Sequence, residues 1–157
     1  MALVLLQVWV FNQIHLFGLI TPLLYIYFIL KLSTGMNRNA VVIWAFAIGL
    51  CIDTLDNTPG LNALASTIVG FFRFYLLRLM FSREEDAFVP SFSTLKMPGF
   101  VQYASILILL HHTILFMTEA ASVYSFGLLM LKILGGTVLS LLLVFALESF
   151  HFEPIKA

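Results

Sequence analysis

The sequence predicts an all-α integral membrane protein: a compact bundle of about six transmembrane or partly spanning helices, with both termini on the cytoplasmic side. Three observations carry this. Of 157 residues, 61% are hydrophobic and only 10% charged, where soluble domains carry about 25% charged residues. Apolar runs at residues 2–14, 18–32, 40–53, 61–81, 98–118 and 123–147 are separated by polar, Gly or Pro punctuation. They leave room for a single transmembrane domain over 1–157 and little else. Among the connections, finally, basic residues fall only in alternate ones.

The first run, MALVLLQVWVF, has no basic residue before it and is followed by NQIH rather than a small-residue cleavage site. It reads as a retained segment, not a signal peptide. A helix needs about 20 residues to cross a ~30 Å hydrocarbon core, so this run is either a half-depth helix or a span whose natural start lies upstream. The second run opens at Pro22, which suits a first helical turn. The third, 40–53, crosses only if its polar end sits in the interface. Thr58-Pro59-Gly60 then makes a turn into the fourth run, and Met97-Pro98-Gly99 starts the fifth. Between them, residues 82–96 form the longest polar stretch, read as a solvated interfacial loop or, less simply, a docking strip for a cytoplasmic partner.

Lys and Arg are retained on the cytoplasmic side of short loops. Lys31 and Arg38 mark one such connection, Arg78, Arg83 and Lys96 a second, and Lys156 the tail. The opposite connections hold Asp53, Asp56 and Glu119 and no basic residue. Eight basic and eight acidic residues cancel, so no surplus charge points to nucleic acid. Cys51 is the only cysteine, which excludes an internal disulfide.

Two basic residues lie inside apolar runs. Lys132 is nine residues into the last run, about 14 Å deep at 1.5 Å per residue. Arg73 is similarly deep in the fourth. Charges at that depth pair inside the bundle, snorkel or mark a substrate or proton site, and Asp53, Glu119 and Glu148 are the carboxylates available for a structural pair. Asp53 is also placed to cap the N-terminus of the fourth span. His111 and His112 are adjacent, so they point about 100° apart on a helix and cannot ligate one metal as an i, i+4 pair could. At least one should face the interior and bond to a neighbouring helix. Small residues four apart, Ala45 with Gly49, Ala121 with Ser125 and Gly136 with Ser140, permit close helix approach. No nucleophile elbow, zinc-protease motif or phosphate loop is present, so neither catalysis nor a cofactor or metal is expected.

The proline-led second run TPLLYIYFIL, and the stretch AFAIGLCIDTLDNTPGLNALASTIVGFFR with Gly49, Asp53, Gly60 and Ala63 or Ala65 at its marked positions, resemble the rod-shape-determining protein MreD family. FVQYASILILLHHTILFMTEAAS resembles one branch of that family, and the similarity extends over nearly the whole chain. Family members begin with a fuller, basic-flanked first span, so the resemblance implies a truncated one here. It further implies a non-enzymatic component of the bacterial cytoplasmic membrane, partnering MreC and acting, indirectly, with MreB, RodA and the elongation transpeptidase in peptidoglycan synthesis. Gly49, Asp53, Gly60, Arg73, Glu119, Lys132, Gly136 and Ser140 are the structural or partner-interaction candidates. The family's fold is similar to the S components of energy-coupling-factor transporters, which makes a vitamin or small-molecule carrier the alternative.

Overall fold

A computed structural model of the protein describes residues 23–81, 87–119 and 125–150. All regular structure among them is helical: α1 (Ile26–Leu30), α2 (Arg38–Asp56), α3 (Leu61–Met80), α4 (Phe92–Glu119) and α5 (Phe126–Phe150). The last four are long and apolar enough to cross a membrane, which makes this a multi-pass membrane protein. The expected span 2–14, the acidic run 84–86 and Lys156 lie outside the described residues, as does Ala121 of the small-residue pairs. Of the expected span 18–32, the part described contains only the five-residue α1.

The third span is longer than its apolar run, because capping extends it at both ends. The Asn37 side chain accepts from the Asn39 N–H at 3.1 Å and starts α2. Asn57, at φ 55°, stops it. The resulting 19 residues cover about 28 Å, close to the thickness of the hydrocarbon core when both ends reach the interface. Gly60, at φ 83°, turns the chain into α3 and has open space where a Cβ would be, so its backbone conformation is what calls for glycine.

Helices α2 and α3 pack antiparallel through small residues. A Cβ on Gly49 would stand 2.5 Å from the Asn62 carbonyl oxygen and 2.6 Å from the Ala63 Cα, and one on Gly70 would stand 2.7 Å from the Ala45 Cβ. The expected Ala45 and Gly49 face is therefore a real contact, and Gly70 is its counterpart on α3. Next in the row, α4 packs on α3, and α5 packs chiefly on α4. The chain from Leu23 to Leu30 runs through the middle of this row, buried on nearly every side chain.

Helix α4 contains a break that the proline announces. Lys96 adopts φ 59°, ψ 157°, and the long helix restarts with Pro98 in its first turn. The break folds Phe92 back so that its ring meets Phe100 and Phe145, each at 5.3 Å between centroids.

An L residue is strained in this backbone region, at a cost on the order of 1–3 kcal/mol, and the Lys96 side chain is exposed. Lys96→Gly should therefore raise the thermal unfolding midpoint in detergent, with a gain of about 1 kcal/mol. An unchanged or lower midpoint would mean that the break carries no strain.

Candidate functional site

Polar side chains are scarce in this bundle, and nearly all of the buried ones meet each other or the backbone. At the end of the bundle where α2 passes into α3, the Asp53 carboxylate accepts from the backbone N–H groups of Asn62 (3.1 Å) and Ala63 (2.8 Å). It also takes the Asn62 side-chain amide at 3.0 Å and the Thr58 hydroxyl. Asp53 is thus the N-terminal cap of α3, reached from the preceding helix, and its negative charge lies where the helix dipole favours it. Of the two roles open to it in the sequence, capping and balancing a deep cation, it takes the first.

From Asp53 the bonds lead inward with a fixed polarity. A carboxylate only accepts, so the Asn62 amide nitrogen must face it and the Asn62 oxygen must face away, toward the Tyr25 hydroxyl at 2.9 Å. Tyr25 has one proton, and Asn62 receives it. The Tyr25 oxygen can then only accept from His111, whose Nε2 is 2.8 Å away. His111 consequently carries its proton on Nε2. Its Nδ1 is left as a bare acceptor, the one buried side-chain polar atom without a hydrogen-bond partner among the described residues. Ser66 lies 3.5 Å from the same Nε2.

The neighbouring imidazole has the opposite arrangement. His112 Nδ1 is 2.9 Å from the Ile108 carbonyl and donates to it, which leaves Nε2 as acceptor for the Ser140 hydroxyl at 3.4 Å. Ser140 in turn accepts from the Leu23 N–H at 2.9 Å. Both histidines are fully buried, and each binds a different element. Gly136 makes room for this: a Cβ there would lie 2.6 Å from His112 Cδ2. Gly136 and Ser140 therefore face the interior of the bundle, and a bulky residue at 136 would report on the fold rather than on a partner surface.

Deeper along α3, buried Arg73 meets no carboxylate among the described residues. Its Nε donates to the Tyr103 hydroxyl at 2.8 Å and its Nη2 to the Leu32 carbonyl, while Tyr103 donates to the Leu30 carbonyl at 3.2 Å. The expected ion pair is replaced by a clamp on the end of α1, because a helix stopping inside the bundle leaves carbonyls that need donors.

Lys132 does meet a carboxylate, Glu119 Oε1 at 3.5 Å. Glu119 is the last residue of α4, so Lys132 sits level with that end rather than at mid-depth. The reason is that α5 begins beyond the point where α4 finishes. At the opposite end, buried Glu148 accepts from Tyr27 (2.8 Å), Lys31 (3.0 Å) and the Phe92 N–H (3.2 Å), joining α1, α4 and α5. Glu148 appeared in the sequence only as an available carboxylate. An acid near the end of the last span, on the side that carries Lys31, was the signal for this pairing. Tyr25, Asn62 and Tyr103 gave no such signal, since their roles depend on which helix lies opposite. No group of three or more His, Cys, Asp or Glu side chains among the described residues is placed to hold a metal.

Two stability measurements in detergent test these assignments. Asp53→Ala strips acceptors from two N–H groups and an amide, and should cost about 3 kcal/mol. Asp53→Asn should recover little of this, because its NH2 would face other donors. Recovery to wild-type stability would mean that the charge and its acceptors are dispensable. Arg73→Met and Tyr103→Phe each leave a carbonyl at or just past the end of α1 without its donor, about 1–3 kcal/mol apiece, and the double variant should lose less than the sum. Strict additivity would separate the two residues.

Comparison with protein-family models, with curated proteins and with solved structures found no match to this chain.

Proposed function

We propose that this chain is a non-enzymatic component of the bacterial cell-elongation complex in the cytoplasmic membrane, binding MreC and helping to organise the cell-wall synthases. One observation carries the interaction part of this reading. Helix α5 is the most apolar of the four long helices and the least covered by its own bundle, since it packs chiefly on α4. Its outward residues Leu134, Val138 and Leu142, one turn apart, are 57%, 58% and 61% exposed. That stripe matches what a single transmembrane helix of a partner would pack against. The family part of the reading is supported by the residues that carry the resemblance: Gly49 touches the start of α3, Asp53 caps it and Gly60 turns the chain into it. They form one junction, as a recurring motif with a single structural task would.

A carrier reading of the S-component type draws on a different observation, the buried His111 Nδ1 left without a donor beside Tyr25 and Ser66. Co-purification with transporter ATPases instead of MreC would favour it.

Coexpression with MreC followed by affinity purification in mild detergent should recover both proteins. Val138→Trp, which adds bulk outside the bundle, should reduce recovered MreC at least about tenfold while leaving the unfolding midpoint near wild type. Failure of the wild type to retain MreC would remove the proposal. Retention by the variant would remove this face from it.

A further inference from the structure

We infer that Arg38 and Arg78, set on an aromatic stripe of α3, form a binding site for the headgroup of an anionic phospholipid. Phe71, Tyr75 and Arg78 follow one another at four- and three-residue intervals, which places them on one side of the helix within about two turns. All three are exposed. Arg38, at the start of α2, reaches across to this stripe and lays its guanidinium over both rings, 4.1 Å from the Phe71 centroid and 4.9 Å from that of Tyr75. Stacking of this kind uses the flat face of the cation and leaves its N–H edge free.

That edge meets no acceptor among the described residues. Neither Arg38 nor Arg78 makes a hydrogen bond or ion pair among the described residues. The described carboxylates do not compete: Asp53, Asp56 and Glu119 are at the far ends of their helices, and Glu148 is buried and holds Lys31 at 3.0 Å. Two guanidinium groups with no partner among the described residues thus stand where apolar, lipid-facing surface gives way to the helix end. The occupant they fit has a phosphate at one level and acyl chains alongside the rings. Arginine forks match phosphate oxygens bidentately, and aromatic rings at this level pack against the chains and the glycerol region. A held guanidinium is also better suited than a free one, because ring stacking has already restricted its rotamers.

The experiment is native mass spectrometry of the full chain in a neutral detergent, titrated with phosphatidylglycerol or with phosphatidylcholine of the same acyl chains. Phosphatidylglycerol should be retained about tenfold more strongly, and Arg38→Gln or Arg78→Gln should each lower that retention about fivefold while leaving phosphatidylcholine unchanged. Arg78→Gln is the safer variant, since the residue is exposed in the last turn of α3 and touches no core. Phe71→Leu, which keeps both charges, should give a smaller loss through the stacking alone. Equal retention of the two lipids, or no effect of either arginine variant, would overturn the site. Displacement of phosphatidylglycerol by inorganic phosphate at equal concentration would show a soluble-phosphate site and overturn the lipid assignment.

Discussion

The rest of the structure depends on one constraint: backbone polar groups buried in an apolar bundle have no water to bond with. The stretch Leu23–Leu32 contains only a five-residue helix and lies buried among the long helices. A segment this short cannot satisfy its own ends, and each unpaired group at such a depth costs several kcal/mol. Side chains from other helices supply what is missing. Ser140 of α5 takes the Leu23 N–H, Tyr103 of α4 donates to the Leu30 carbonyl, and Arg73 of α3 donates to that of Leu32. Three helices are thereby tied to one central segment.

Viewed this way, the deep polar residues divide the work by position along the bundle. Near one end, Asp53 caps α3, and its acceptor character propagates through Asn62 and Tyr25 to fix the His111 tautomer. Near the other, Glu148 gathers Tyr27, Lys31 and the Phe92 N–H. Lys132 and Glu119 join the tops of the last two helices. Each of these ions is matched by hydrogen-bond partners or by an opposite charge, which is the condition for keeping it in a low-dielectric setting. The outward surfaces are left apolar, and an apolar exterior around a polar-stitched core is what frees a face such as that of α5 for another membrane helix.

The small residues serve the same end by letting helices come close enough for these bonds to form. Gly49 lets α2 touch the first turn of α3, which is what brings Asp53 within reach of the Asn62 and Ala63 N–H groups. Gly136 lets His112 lie against α5, where Ser140 is one turn away. A larger side chain at either position would break a polar contact as well as a packing contact.

Composition and the spacing of apolar runs were enough to determine a helical membrane bundle, the long spans and the turn at Thr58-Pro59-Gly60, because hydrophobic length and proline or glycine punctuation are local properties of the chain. Capping as one of two roles for Asp53, and the Ala45 and Gly49 face, were also legible, since a short turn brings α2 and α3 together whatever else happens. What only the tertiary structure decided were the partners across long stretches of sequence: Tyr103 and two carbonyls for Arg73, Glu119 rather than another acid for Lys132, opposite tautomers for two adjacent histidines, and an interior address for Gly136. Those pairings depend on how far one helix is shifted along its neighbour and on where α1 stops. Neither quantity is written in the periodicity of any single segment.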